Sequence, residues 1–178
     1  MDKDCCLLSV DCWLKMDKET ALKKILHYCN YQGRCKKEIY DKLNSFELDE
    51  TDKNFIVGFL QEEGFINDER YCRSYVKSKL NLKKWGVNKI KLALITKGID
   101  KEIIDNVISE IDKDSYKEEL LNLLKNKKIE ETDPYKRKAK LIRYAVSKGY
   151  FLNEVMECVE NLKIWKPEKW ISRSGTRT

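Results

Sequence analysis

The stretch NKIKLALITKGIDK, residues 88–101, decides the fold because it recurs twice along the chain. It aligns with KEIYDKLNSFELDE (37–50) and with AKLIRYAVSKGYFL (139–152), and both steps are 51 residues long. A fixed period of this length is the sequence signature of a repeat architecture. The aligned apolar positions are Ile39, Ile90 and Leu141, then Leu43, Leu94 and Ala145, and then Leu48, Ile99 and Tyr150.

The pattern around the repeat is helical throughout. Apolar residues recur at helical spacing, and no stretch alternates as a half-buried strand would. The helix ahead of the repeat also matches between the first two copies, where Ala21 aligns with Cys72 and Ile25 with Val76, whereas the third copy is shifted. We therefore predict an all-α fold: a tandem array of three three-helix repeats forming an elongated, curved, right-handed helical repeat domain.

Glycines mark the ends of several predicted helices. Gly64, Gly98 and Gly149 each follow an apolar-periodic run and precede an apolar residue, which is the pattern of a left-handed C-terminal cap. Asn67 or Asp68, Asp100 and Asn153 are the candidate caps of the helices that follow. The predicted helices cover 17–31, 34–45, 49–62, 68–81, 87–97, 100–111, 114–127, 134–148 and 151–162.

These helices divide the chain into five predicted segments. We expect an N-terminal tail over 1–16, three-helix repeats over 17–66, 67–112 and 113–163, and a basic flexible tail over 164–178. A repeat of about 50 residues buries little apolar surface alone, so stacking of neighbours should complete the core.

Composition limits the classes of function. The 178 residues carry a net charge of +6, which favours a polyanionic partner. No apolar run reaches the roughly 20 residues of a membrane span, and acidic residues interrupt the N-terminal apolar stretch that an export signal would need. We expect a cytoplasmic protein.

The pattern of the cysteines favours buried apolar side chains over disulfides or metal ligands. There are seven, at 5, 6, 12, 29, 35, 72 and 158, with no CxxC pair. His27, Cys29 and Cys35 could be imagined as metal ligands, but reduced thiols used as small apolar side chains are the better interpretation. We predict no metal and no cofactor.

Positive charge is concentrated in two segments. Residues 70–99 hold nine basic residues and no acid, and residues 134–153 hold six more and no acid. On the helix from 68, Arg70, Arg73 and Lys77 share one face, about 120° from a stripe that should be core. This face either binds a polyanion or pairs with acids of a neighbouring unit. The predicted core stripe is Cys72, Tyr75, Val76 and Leu80.

Catalytic motifs are missing from the sequence. KWGVNK (84–89) has a single glycine, so it is not a phosphate-binding loop, and the lone His27 has no evident nucleophile or acid partner. We predict no catalytic residues and no enzymatic activity. Trp85 could stack on a nucleobase, although a tryptophan in a turn more often packs under a helix.

The central segment GFINDERYCRSYVKSKLNLKKWGVNKIKLALITKGID (64–100) resembles the signature of the RecX family of bacterial recombination regulators. RCKKEIYDKL (34–43) and AKLIRYAVSKGYFLNEV (139–155) resemble its first and third units, so the resemblance covers about residues 18–162. The sequence departs from the family pattern at GVN (86–88), where glycine-proline is usual, and at Ala93, where an acid is common. The matching positions are Ile66, Asp68, Arg70, Tyr71, Gly86, Lys89, Ile90, Lys97, Gly98 and Ile99.

The resemblance implies a function. RecX proteins bind the filament that the RecA recombinase forms on single-stranded DNA and usually lower its ATPase and strand-exchange activity, and they are not enzymes. We therefore expect a regulator of DNA repair, recombination and the SOS response. Its expected partners are the RecA filament and, directly but weakly, single-stranded DNA, with no membrane contact and a monomeric state. The alternative is a helical DNA-binding protein without a recombinase partner.

The predicted binding residues are all basic. They fall on the two acid-free segments and are expected to contact the filament or the nucleic acid. They are Arg70, Arg73, Lys77, Lys83, Lys84, Lys89, Lys91, Lys136, Arg137, Lys140 and Arg143.

Overall fold

The computed structural model describes residues 16–163, so the two predicted tails lie almost wholly outside the described residues. This part of the chain contains nine α-helices and no β-strand, which confirms the predicted all-α class. No helix in it is long and apolar enough to cross a membrane. The helices are α1 (Lys18–Tyr31), α2 (Lys36–Asn44), α3 (Glu50–Glu62), α4 (Asp68–Lys83), α5 (Val87–Thr96), α6 (Lys101–Ser109), α7 (Lys113–Asn126), α8 (Pro134–Lys148) and α9 (Leu152–Leu162).

Each helix begins and ends within two residues of its predicted limits. Side-chain caps explain several of the starts, because a cap satisfies backbone N–H groups that the first turn leaves unpaired. Asp100 accepts from the N–H of Glu102, and Asn67 accepts from the N–H of Arg70 at 2.8 Å. The expected cap at Asn153 is wrong, because α9 already begins at Leu152 after Phe151.

The positions that match at 51-residue spacing are structurally equivalent. Each of the nine apolar residues of the three aligned copies is buried, including Ile39, Ile90 and Leu141. Ala21 and Cys72, which match in the preceding helix, are both fully buried. The repeat seen in the sequence is therefore a repeat of core positions. The division into repeats at 66/67 and 112/113 stays a prediction.

The turn that follows α5 and α8 is left-handed at a glycine. Gly98 has φ +75° and Gly149 has φ +98°, and the next residue donates its N–H back to a helix carbonyl. The equivalent position after α2 is Glu47, which adopts φ +52° although it is not a glycine. Since a side chain there costs about 1–2 kcal/mol, the first copy keeps the turn in a strained form.

The described chain divides into two compact units at the Tyr71–Cys72 bond inside α4. In the first unit, α1, α2 and α3 pack around fully buried Ile25, Ile39, Leu43, Ile56 and Leu60. In the second unit, α7, α8 and α9 pack around another cluster of buried residues. That cluster comprises Leu120, Leu124, Leu141, Ala145, Tyr150, Val155, Cys158 and Val159.

Within the second unit, the start of α5 packs directly on the turn between α8 and α9. The N–H of Gly86 donates to the carbonyl of Lys148 at 2.8 Å, and the N–H of Asn88 donates to that of Gly149 at 3.1 Å. A Cβ at Gly86 would lie 2.2 Å from the carbonyl carbon of Gly149, so only glycine fits this contact. The N–H of Val87 donates to the hydroxyl of Tyr116 at 3.2 Å, which fixes the same helix start to α7.

Candidate nucleic-acid interface

The face of α4 that carries Arg73 and Lys77 is exposed, as predicted. On the predicted core stripe Cys72 and Val76 are buried. The remaining predicted core residues of this helix, Tyr75 and Leu80, are half-buried. The periodicity of α4 therefore identified correctly which side of the helix is core and which side meets solvent.

Four of the eleven predicted binding residues form ion pairs with carboxylates from other parts of the chain. Arg73 forms a two-pronged pair with Glu110 at the end of α6, and Lys91 pairs with Asp105 of α6. The sequence left open whether the cations bind a polyanion or pair with acids of the chain, and at these positions the fold supplies the acids. The other two pairs are Lys84 with Glu119 at 2.7 Å and Lys140 with Glu131 at 2.7 Å.

These pairs are exposed enough to exchange partners. The side chains of Arg73 and Glu110 are about half exposed, at 47% and 50%. Exposed ion pairs contribute about 0–1 kcal/mol, so a dense polyanion can compete for the cation. The hydrogen bond from Lys140 holds the pKa of Glu131 below its ordinary value, which keeps that carboxylate ionised as the local counter-charge.

Three further predicted residues bind backbone carbonyls. The guanidinium of Arg70 donates to the carbonyls of Gly64 and Phe65, at 3.0 and 3.4 Å, and so joins α4 to the turn before it. Arg137 donates through Nε to the carbonyl of Glu131 at 2.9 Å. Their first role is structural, because they satisfy carbonyl groups in turns. The third is Lys89, which donates to the carbonyl of Ser147 at 3.3 Å.

The remaining four predicted residues are exposed cations. Among residues 16–163 these four have no carboxylate within ion-pair distance and no side-chain hydrogen bond. We call them the open cations, and they lie on α4 and α8, the two described helices with the most basic residues. They are Lys77, Lys83, Lys136 and Arg143.

The ring of Trp85 lies close to two lysine side chains. Its ring is half-buried, with the ammonium groups of Lys89 and Lys79 at 4.8 and 5.2 Å from the ring centroid. Such contacts contribute roughly 0.5–1 kcal/mol at an exposed site. Lys79 is a cation of this surface that the predicted binding set omitted, although its place in the acid-free segment could have identified it.

The described cysteines lie in the interior of the protein. Cys29, Cys35, Cys72 and Cys158 are buried and form no disulfide among the described residues. Burial raises the pKa of Cys29 and Cys158, which lowers their thiolate fraction. In the part of the chain that the structure covers, no group of three or more histidine, cysteine, aspartate or glutamate side chains could hold a metal ion.

The fold and this surface define a class of protein: an all-helical repeat protein with cations concentrated on two of its helices. A sequence model described as the second three-helix domain of RecX matches residues 67–108. The regulatory protein RecX of Clostridium acetobutylicum is 32% identical over 148 residues, which are 80% of this chain and 68% of that protein. The chain belongs to the RecX family.

Other relatives agree with this assignment. The regulatory protein RecX of Clostridium beijerinckii is 41% identical over 140 residues, which span 75% of this chain but only 62% of that relative. The crystal structure of RecX from Lactobacillus salivarius superposes with a TM-score of 0.70 at 25% identity, covering 83% of this chain and 97% of that one. The two clostridial relatives are named as regulatory proteins.

Proposed function

We propose that this protein binds RecA and the filament that RecA forms on single-stranded DNA, and that it lowers the recombinase and ATPase activity of that filament. Membership of the RecX family and the open cations on α4 and α8 support this proposal. The protein would act in the cytoplasm, as a monomer without catalytic residues, on DNA recombination, repair and the SOS response.

The open cations carry the proposal. Lys77 and Lys83 on α4, with Lys136 and Arg143 on α8, are exposed and need not break an internal pair to meet an anion. A filament offers two kinds of anionic surface, which are DNA phosphates and protein carboxylates. A protein held across neighbouring subunits by such contacts would resist the motions that ATP turnover requires. This mechanism is part of the proposal.

The test replaces the open cations together by alanine. These four residues are exposed, and their side chains form no ion pair or hydrogen bond among the described residues, so the helical fold should persist: Lys77, Lys83, Lys136 and Arg143. We expect the concentration needed for half-inhibition of RecA's DNA-dependent ATPase to rise roughly tenfold or more, since four charge contacts are lost. Arg70 and Arg73 are left unchanged in this test because their side chains make contacts within the protein.

A matched control removes the same charge elsewhere. Alanine at four other exposed lysines lowers the net charge equally but leaves both cationic helices unchanged. Equal loss of inhibition in the two variants would mean that net charge, and not this surface, acts on the filament. Wild-type protein that left RecA's ATPase unchanged at stoichiometric excess would refute the proposed function itself. The control lysines are Lys23, Lys36, Lys101 and Lys128.

The same open cations favour a second candidate, a DNA-binding protein without a recombinase partner. Its affinity for bare DNA would then be high and would fall steeply with salt, with a slope set by the number of phosphates contacted. A regulator that acts mainly through RecA would bind bare DNA weakly. Titration of labelled single-stranded DNA at two salt concentrations, with and without RecA, separates the two functions.

A further inference from the structure

A cleft in the second unit lies where the end of α4 meets α7 and α8. Its volume is about 420 Å³, which is in the usual range for small-ligand sites. Lys84, just after α4, lines one side, and Asn122 and Asn126 of α7 line another. Tyr144 of α8 provides an aromatic wall, and Lys127, Glu119 and Leu123 complete the lining. This combination of amides, an aromatic ring and cations is not explained by the packing of the core.

The two amides are available to a ligand. Asn122 and Asn126 are one helical turn apart, so their side chains lie on the same face of α7. Both are exposed, and within residues 16–163 neither side-chain amide forms a hydrogen bond. Each amide has two N–H donors and one carbonyl acceptor, which match the mixed donors and acceptors on the edge of a nucleobase.

The aromatic wall is already in contact with positive charge. The ammonium group of Lys127 lies 4.8 Å from the centroid of the Tyr144 ring, and that of Lys148 lies 5.7 Å from it. Lysine side chains are flexible, so a base that stacks on the ring can displace an ammonium group toward a phosphate. The half-buried ring therefore presents a face on which a base can stack. The lysines beside the ring can bind the phosphate of the same nucleotide.

Lys84 occupies a costly backbone conformation beside this cleft. Its φ is +52°, where glycine is favoured, and its ammonium group lies 2.7 Å from Glu119. Strained residues of this kind concentrate at binding sites, where the side chain is worth its conformational cost. The pair with Glu119 holds this ammonium group at the cleft, where an anion can compete for it.

We propose that this cleft binds one unpaired nucleotide of a single-stranded nucleic acid, with the base against Tyr144, its edge on Asn122 and Asn126, and a phosphate on Lys84 or Lys127. Arg143, which precedes Tyr144 on α8, is an exposed open cation outside the cleft lining. The proposal rests on the proposed function only in taking single-stranded DNA as a direct partner.

The experiment measures fluorescence anisotropy of labelled single strands without RecA. One strand is oligothymidine, and the other is an abasic strand of the same length and charge. We expect the wild type to bind the thymidine strand roughly five- to a hundredfold more tightly, which is the usual range for loss of one stacking contact. Tyr144→Ala should lose this preference while Tyr144→Phe retains it, because phenylalanine keeps the ring.

Two further variants test whether the change in DNA affinity arises at the cleft. Tyr135→Ala removes an exposed tyrosine of the same helix outside the cleft and should bind as the wild type does. Lys84→Gly should weaken binding to both strands without loss of thermal stability, because relief of the left-handed strain offsets the lost ion pair.

Several results would overturn the cleft proposal. They are no measurable binding to either strand, equal affinity of the wild type for both strands, or a base preference that persists in Tyr144→Ala. None of these depends on RecA. Inhibition of the recombinase ATPase by the wild type would then leave the proposed function standing without the cleft.

Discussion

Replacing Gly86 by alanine should destabilise the second unit sharply. The start of α5 lies against the turn after α8, where the N–H groups of Gly86 and Asn88 donate to the carbonyls of Lys148 and Gly149. A Cβ at position 86 would lie 2.2 Å from the carbonyl carbon of Gly149 and 2.3 Å from the amide nitrogen of Tyr150. Both of these atoms belong to the backbone, so no side-chain rotation can relieve the overlap.

The magnitude follows from the movement that alanine requires. The two backbones must separate by about 1 Å, and overpacking of this kind typically costs about 1–3 kcal/mol. The separation also weakens two backbone hydrogen bonds, each worth about 1 kcal/mol. We therefore expect the free energy of unfolding to fall by about 2–4 kcal/mol. For a chain of this length each kcal/mol corresponds to roughly 2–4 °C in melting temperature.

Urea unfolding followed by circular dichroism measures the change, with Gly58→Ala as the control. Gly58 lies inside α3, and a Cβ there would meet nothing within 4 Å. Alanine should therefore stabilise α3 by about 0.5–1 kcal/mol through its higher helix propensity. A Gly86→Ala protein within about 0.5 kcal/mol of the wild type, the usual range for a neutral surface change, would refute this account of the contact.

Two further predictions concern strain and burial. Glu47→Gly should raise the free energy of unfolding by about 1 kcal/mol, because Glu47 is exposed and has a left-handed backbone. Gly98→Ala should lower it by a similar amount, because it puts a side chain at a left-handed position. Thermal unfolding measures both changes, and the same sign for the two would contradict the strain argument. Burial raises the pKa of Tyr116 to about 12 from an ordinary value of 10.0, so stability linked to its neutral form is complete below pH 10 and is lost as the pH rises toward 12. Tyr116→Phe should make the alkaline fall in unfolding free energy shallower, and an unchanged slope in urea titrations over that range would show that Tyr116 does not contribute.

Much of the fold could be predicted from the sequence because helix signals are local. Apolar spacing located α5, and Gly98 and Gly149 marked left-handed turns that the structure contains. The left-handed Glu47 was not predicted, since glutamate carries no such signal and only the alignment with Gly98 relates the two positions. The direct contact between Gly86 and Gly149 also required the structure, because the two residues are distant in the chain.

The candidate site divides in the same way. The sequence by itself determined which helices carry the cations and which face of α4 is exposed, because both follow from residue type and helical period. Only the tertiary structure decided that Arg73 and Lys84 meet Glu110 and Glu119, whereas Lys77 meets no carboxylate among the described residues. The physical reason is range: periodicity acts over a few residues of one helix, whereas an ion pair or a cleft depends on how separate helices pack together.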